Sequence, residues 1–435
     1  MACSMLSLNY KPLKMKRYDK YKESGIPWIG NIPEHWEVKK IRGLFAERRE
    51  IVSDSIWEAL SVSKDGVTPQ LATAVKTDNK DNRKKVCKGD FVVNSRSDRK
   101  GSCGFSVYNG SVSLINIVLY PSSPNRISQG YYHYLLRSNN YIEEFYRNGR
   151  GIVADLWTTH YSEMRNIFLP LPPLSEQEAI VAYLEEKVAQ MDSLAAKQEA
   201  QIAYLRELKQ AIIARAVTQG LDPHAPLRPS GIPWIGAIPK HWKEVKMRKI
   251  IDFFSDKGFP DETLLSVVRD QGVIIRDTES KEENHNYIPN DLSGYKRVQQ
   301  GDFVINKMKA WQGSYAVSDY QGIVSPAYYT CKLRIPNKVF FNLAIRSMVY
   351  IPFFTKYSKG IRVDQWDLSP VGLKDISFFL PPPSEQEAIV TYINRKTEEI
   401  DRLIAMTEQE IARVRELKQT LIADVVTGRI NVQPT

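Results

Sequence analysis

Four cysteines in 435 residues, Cys3, Cys87, Cys103 and Cys331, are too few and too irregularly placed to build a framework. None forms a Cys-x-x-Cys pair and none recurs at a matching place in the repeat described below, which argues against a shared zinc site or disulfide scaffold. No apolar run approaches the roughly 20 residues that span a bilayer. Met1 to Tyr10 lacks a basic-then-apolar leader pattern and meets Lys11, Lys14, Lys16 and Arg17 directly. A cytoplasmic protein is expected. Catalytic signatures are missing as well. There is no Gly-x-x-x-x-Gly-Lys-Ser/Thr phosphate loop, no glycine-rich cofactor turn after a strand and no Asp/Asn-Pro-Pro-Tyr/Phe segment. No Ser/His/Asp set or carboxylate cluster recurs, and Asp261-Glu262 and Glu282-Glu283, found in one copy, read as surface acid. The expectation is a chain that binds without doing chemistry.

What is present is present twice. Ser24-Gly25-Ile26-Pro27-Trp28-Ile29-Gly30 returns as Ser230-Gly231-Ile232-Pro233-Trp234-Ile235-Gly236, and both copies continue into Ile-Pro-x-His-Trp, Ile32 to Trp36 and Ile238 to Trp242. Ser175-Glu176-Gln177-Glu178-Ala179-Ile180-Val181 returns as Ser384 to Val390, and Arg206-Glu207-Leu208-Lys209-Gln210 as Arg415 to Gln419. Order and spacing are both kept, so one unit is duplicated in tandem. A period of roughly 200 residues is far beyond the roughly 20–50 of a solenoid. Two α/β domains of one kind are expected, each long enough to bury its own core. Hydrophobic content of 43% and charged content of 25% are ordinary for a globular chain and admit that reading. The matched histidines, His35 and His241, stand without a repeated cysteine or carboxylate at ligand spacing. They read as structural hydrogen-bonders rather than metal ligands.

Each copy closes on a proline brake and a long helix. Leu169-Pro170-Leu171-Pro172-Pro173 and Leu380-Pro381-Pro382-Pro383 cannot lie inside a helix. Ser175 and Ser384, followed three residues later by Glu178 and Glu387, carry the signature of a capping box. Spacings of three and four then alternate through Val181, Leu184, Val188, Met191, Ala195, Gln198, Ile202 and Leu205. The second helix keeps that register through Val390, Ile393, Thr397, Ile400, Ile404, Thr407, Ile411 and Val414. This is a coiled-coil seam, with Gln198 and Thr407 as polar positions that fix alignment, and Val181 to Leu205 rises about 36 Å. Lys209 and Lys418 fall next on the seam, so Leu208 and Leu417 are expected to take over through a local register shift. Only Leu221 to Leu227 separates the first helix from the second domain, and domain termini lie close together. The helices are therefore expected to pair antiparallel, with one domain at each end and pseudo-twofold symmetry. The expected divisions are a tail over 1–14, domains over 15–169 and 227–379, and repeated helical regions over 170–226 and 380–435.

Phe91-Val92-Val93 and Phe303-Val304-Ile305 follow Gly-Asp turns and read as strands. Tyr131 to Tyr146 and Phe340 to Phe354 have helical spacing. Loops of basic and amide side chains follow the strands: Asn94, Arg96, Arg99 and Lys100 in the first copy, and Lys307, Lys309, Trp311, Gln312 and Ser314 in the second. A further pair of loops carries Arg147 and Arg150, or Lys359 and Arg362, each ahead of a tryptophan, Trp157 or Trp366. Arg and Lys bind phosphates and the guanine edge, and Gln or Asn pairs bidentately with adenine. A net charge of +10 points to a polyanionic partner, nucleic acid first. The basic stretch Lys11 to Lys22 reads equally as a grip on phosphate backbone or as a solvated tail. Between the matched anchors the copies diverge, as expected of two domains that read different targets.

The Gly-Ile-Pro-Trp-Ile-Gly-x-Ile-Pro-x-His-Trp lead, the Ser-Glu-Gln-Glu-Ala-Ile-Val helix start and the Arg-Glu-Leu-Lys-Gln helix end resemble those of the specificity subunit of type I restriction–modification systems. The stretch from Met308-Lys309-Ala310-Trp311-Gln312-Gly313 through Gly322 to Ala327 is similar to a target-recognition domain of that family. The resemblance implies a non-catalytic DNA-recognition subunit in a prokaryotic cytoplasm. Its two target-recognition domains would each read half of a bipartite, gapped site on double-stranded DNA, with the helices as spacer. It further implies two methyltransferase subunits docked on the repeated regions, forming an adenine-specific methylating complex, and restriction subunits on the same core. No cofactor is expected in this chain; S-adenosylmethionine, ATP and magnesium would belong to the partners. The first domain departs from the pattern, having Arg99-Lys100-Gly101 where the second has Trp311-Gln312-Gly313. Two rivals remain: a fused catalytic enzyme, which needs the motifs found missing, and a coiled-coil scaffold that binds proteins alone.

Overall fold

The computed structural model describes residues 16–70, 80–151, 157–277, 288–289, 291–360 and 366–433. The chain forms two compact units, one of Met1–Gln198 with Gln409–Thr435 and the other of Glu199–Glu408. These do not follow the divisions expected from the repeat, because the boundaries fall inside the long helices. The first unit is completed by the end of the chain.

In both units the strand after the Gly-Asp turn lies inside a four-stranded antiparallel sheet. The first unit uses β1 (Phe45–Glu47), β2 (Phe91–Asn94), β3 (Cys103–Phe105) and β4 (Asn116–Pro121) in the order β3-β2-β4-β1. The second uses β5 (Ile251–Phe254), β6 (Phe303–Asn306), β7 (Tyr315–Val317) and β8 (Tyr328–Leu333) in the order β7-β6-β8-β5. The topology is the same. Successive side chains point to opposite faces, so Phe91, Val93, Ile117 and Leu119 enter the main core. Val92 and Val118 instead meet Leu60, Val67, Val86 and Val112 on the reverse. Phe303 and Ile305 against Val304 repeat that division in the second unit. Strands buried on both faces carry apolar side chains without alternation, which is why they stand out in the sequence. The preceding turns need a left-handed residue, supplied by Gly89 and Gly301 at φ 91° and 85°. Buried Asp90 and Asp302 close them by accepting from the amides of Cys87 (2.8 Å) and Gln299 (2.9 Å).

The helical stretch of the first copy is two helices, α1 (Gln129–Leu136) and α2 (Asn139–Arg147), because Ser138 caps the second by accepting from the Tyr141 amide. The long helix α3 (Leu174–Gln219) follows. The second copy has α4 (Lys338–Ile345) and α5 (Ile351–Tyr357), with Pro352 at the start of the latter, and then α6 (Pro383–Val426). The proline brakes are shorter than expected. Phe168–Leu171 is a strand paired with Glu37–Lys40, and Ser377–Leu380 pairs with Lys243–Lys246. Both long helices begin one residue before the serines, so Ser175 and Ser384 lie inside the first turn and are not the caps. The carbonyls of Pro173 and Pro382 accept the first amides, those of Glu176 and Gln177 and of Glu385 and Gln386.

What the repeated motifs do is to bind one another. In the first unit the Glu176 carboxylate is buried and receives the Trp36 indole N–H, His35 Nε2 at 2.6 Å and the Tyr18 hydroxyl at 3.3 Å. In the second, Glu385 receives His241 Nε2 at 2.8 Å and the Trp242 indole at 3.1 Å. The histidines are structural hydrogen-bonders, and among the described residues no group of His, Cys, Asp and Glu could hold a metal. The neighbouring amides seal the same corner: Gln177 donates to the Pro172 carbonyl and Gln386 to that of Pro381, each at 2.9 Å. Each lead tryptophan also takes a helix end. A Cβ at Gly428 would meet the Trp36 ring at 3.0 Å, and one at Gly220 the Trp242 ring at 3.4 Å. Both glycines have φ of 74°, the left-handed conformation that ends a helix.

The thirteen apolar seam positions all turn inward, Ala195 among the buried ones. Leu184, Ile202, Leu205, Ile393, Ile400 and Ile411 are buried, and Val181, Val188, Met191, Val390, Ile404 and Val414 are half-buried. Within each unit the two helices run antiparallel. Asp192 pairs with Lys418 and Gln198 with Glu410 in the first unit; Arg206 pairs with Glu408 and Lys209 with Asp401 in the second. The expected register shift does not occur. Leu208 and Leu417 are exposed, while Lys209 and Lys418 keep their places and reach the facing acids at 2.7 and 2.6 Å. A long lysine stem lies along the seam edge with its charge at the rim. Of the two polar seam residues expected to fix alignment, only Gln198 reaches the other helix; the Thr407 hydroxyl donates to the Leu403 carbonyl of its own helix, as Thr397 does to that of Asn394. No helix among the described residues is long and apolar enough to cross a membrane.

Replacing Trp36 by Phe leaves the buried Glu176 without its indole donor, an effect of about 1–3 kcal/mol. Trp242→Phe should have the smaller effect, because the Glu385 side chain is 24% exposed against 7% for Glu176. Denaturant midpoints of the two variants would test that order, and equal midpoints would refute it.

Candidate nucleic-acid interface

The loops singled out in each copy are knitted together by one short extended segment. In the first unit Ser97 N–H donates to the Trp157 carbonyl (2.9 Å) and Thr159 N–H to that of Ser95 (3.0 Å). Arg150 and Thr158 exchange amide bonds at 3.1 and 3.0 Å. The buried Thr159 hydroxyl then donates to the Phe145 carbonyl at 3.0 Å, fixing the segment to α2. In the second unit Leu368 N–H donates to the Lys307 carbonyl at 3.0 Å, and Ser358–Lys359 pairs with Asp367–Leu368. Thr355 ties α5 to the Trp311 carbonyl at 3.2 Å. Both units therefore bring the loop after the central strand and the loop after the second short helix to the same place.

In the first unit this place is rich in charge already paired. Arg96 meets Asp98 at 2.9 Å and Lys100 meets Glu143 at 2.6 Å. Arg147 meets Glu144, and Arg150 meets Glu163 at 3.6 Å. Arg99 is the loosest, 4.0 Å from Asp98. Asn94 is a structural residue in this state: its side chain accepts from the Arg96 amide at 3.1 Å and its carbonyl from the Tyr146 hydroxyl at 3.1 Å. A cavity of about 450 Å³ opens between the loops, lined by Lys100, Arg147, Trp157, Tyr146, Glu143 and Trp28. Trp28 belongs to the repeated lead segment and was missed as a site residue, because the repetition itself marks it as scaffold. Glu143 and Glu144 were missed for another reason. They sit on α2, and only the fold turns that face toward the loops.

In the second unit Lys307 pairs with Asp367 at 2.8 Å, which holds its ammonium above the usual lysine range. Lys309 and Lys359 are exposed, and neither has an ion pair among the described residues. Trp311 packs on Trp366 with ring centroids 5.4 Å apart, and Gln312 is half-buried beside it. Gly313, at φ 95°, turns the chain into β7. Ser314 is a correction: it is buried, its amide bonded to the Lys309 carbonyl, so it braces the loop and offers nothing to a ligand. Arg362 lies outside the described residues.

Two like units, each bringing basic, amide and aromatic side chains together on two converging loops, make a duplicated protein with one candidate polyanion-binding surface in each unit. Residues 33–204 match the family of type I restriction modification DNA specificity domains. The chain is similar to the MjaVIII type I restriction enzyme specificity subunit of Methanocaldococcus jannaschii, 23% identical over 431 residues, which are 92% of this chain and 94% of that protein. Its fold is that of the HsdS subunit from Thermoanaerobacter tengcongensis, at 16% identity and a TM-score of 0.50, covering 92% of this chain and 98% of that one. A chain from a structure of type I R-M complex assembly and conformational transition gives a TM-score of 0.64 at 14% identity, covering 91% and 98%. Together these likenesses support a specificity subunit of a type I restriction–modification system, with a DNA specificity domain at residues 33–204.

The Tyr146 hydroxyl spans the Asn94 and Arg99 carbonyls at 3.1 and 3.3 Å and so holds the first loop in shape. Tyr146→Phe should lower stability by about 1 kcal/mol and speed amide exchange at Ser97 to Ser102. Unchanged exchange there would show that the loop does not depend on it.

Proposed function

We propose that the chain is the non-catalytic DNA-recognition subunit of a type I restriction–modification complex. Each unit reads one half of a bipartite, gapped site, and the paired helices hold the gap at a set length. The repeated parts seat two methyltransferase subunits, and restriction subunits join the same core. Methyl transfer and cleavage, with S-adenosylmethionine, ATP and magnesium, are assigned to those partners.

The observation that carries this reading is the convergence, in both units, of the same two loops on one extended segment, with different side chains on a common frame. The exposed cations of the first unit are held in surface ion pairs, each worth less than about 1 kcal/mol. A phosphate or a base edge exchanges for such a carboxylate at little cost. In the second unit Lys309 and Gln312 stand on a short turn braced by Ser314 and Trp311. They are suited to a phosphate or guanine edge and to an adenine edge respectively.

Replacing Lys309 and Gln312 together by Ala should abolish or relax recognition at one half-site. Sequencing the methylated motifs of a host carrying the chain and its partners reads this directly, and equal loss at both half-sites would refute the assignment. Inserting a whole heptad into both α3 and α6 should lengthen the gap in the methylated motif. An unchanged gap would refute the spacer role. A chain that binds no DNA even with methyltransferase subunits present would instead be a protein-binding scaffold.

A further inference from the structure

Aligning the two units by strand register brings out a lysine that the motifs do not mark. Lys84, on the strand Arg83–Val86, and Lys296, on the strand Lys296–Val298, occupy the same position, paired opposite Val112 and Val324. Both ammonium groups donate to the first carbonyl of the neighbouring sheet strand, Lys84 to Asn116 at 2.8 Å and Lys296 to Tyr328 at 2.6 Å. Their surroundings differ in sign. Lys84 lies 3.5 Å from the largely buried Glu47 carboxylate, which also takes Arg49 at 2.7 Å. Phe253 stands at the Glu47 position of the second unit, opposite Cys331 as Glu47 is opposite Leu119.

No carboxylate replaces the missing one among the described residues. Lys257 pairs with Lys296 across an isolated antiparallel bridge. Lys307 begins the reading loop directly after Asn306, whose amide donates to the Tyr328 hydroxyl at 3.3 Å. Burial first, and then the charges of Lys257 and Lys307, hold the Lys296 ammonium below the usual lysine range. Three like charges gathered at one place, only Lys307 having a paired acid, are relieved by an anion.

We propose that Lys257, Lys296 and Lys307 of the second unit form a binding site for a backbone phosphate of the DNA, flanking the half-site that this unit reads. The proposal rests on the chain being a DNA-recognition subunit. The phosphate contact positions the unit on the duplex and carries no sequence information. The corresponding place in the first unit is filled by its own glutamate, so the second unit supplies more of the salt-dependent affinity.

The test is binding of the full chain, with its methyltransferase subunits, to a duplex carrying the methylated motif and to a scrambled duplex, over a series of salt concentrations. Lys257→Ala, on an exposed side chain, and Lys296→Met should each weaken binding to both duplexes by the same factor. Each should also reduce the slope of log K against log salt by about 1. Lys84→Met should leave that slope unchanged. An unaltered slope in Lys257→Ala, or a loss confined to the motif duplex, overturns the phosphate site while leaving the recognition reading intact. A wild-type complex that binds neither duplex overturns both.

Discussion

A carboxylate at the start of each long helix, held by an indole and an imidazole from the lead segment, is the contact on which each unit is built. Burying Glu176 is unfavourable unless its oxygens are hydrogen-bonded, and Trp36, His35 and Tyr18 supply the donors. The helix N-terminus adds a favourable field for the negative charge. Trp36 and Trp242 also receive the ends of the helices that carry Gly428 and Gly220. One small motif thereby fixes where one helix begins and another ends. This explains the repetition of Ile-Pro-x-His-Trp together with Ser-Glu-Gln-Glu: neither half of the contact is of use without the other.

The sheets and short helices hung on that frame are equally alike, and the variable chemistry is confined to their rim. A loop that leaves the central strand and a loop that leaves the second short helix are stitched to one extended segment by backbone hydrogen bonds. Their side chains are thus free to change without disturbing the frame. The first unit carries paired Arg, Lys, Asp and Glu side chains there, and the second carries Lys, Gln and a tryptophan pair. Rigid support with interchangeable surface suits recognition, because position is set by backbone and specificity by side chains.

Much of this was legible in the residues. The duplication, the central strands, the antiparallel helices and the seam all follow from periodic or repeated patterns, and such patterns survive without knowledge of the fold. The misreadings have separate causes. The serine caps failed because a proline carbonyl two positions earlier took the first amides of each helix. The register shift at Lys209 and Lys418 failed because facing acids, distant in sequence, pull those lysines to the seam edge. Ser314 looked like a ligand-binding hydroxyl in a polar loop, and burial made it a brace. The lysines were decided by partners far along the chain, and the serines by backbone carbonyls two to five residues away.

The sequence by itself determined that one unit occurs twice, where its central strands and long helices lie, and which stretches vary between copies, since local patterning encodes all three. Only the tertiary structure decided that the chain's last residues complete the first unit, that the lead histidine and tryptophan hold a helix-start glutamate, and that Lys84 faces a glutamate where Lys296 faces lysines. Those outcomes depend on burial and on neighbours tens to hundreds of residues away, and neither is written in local order.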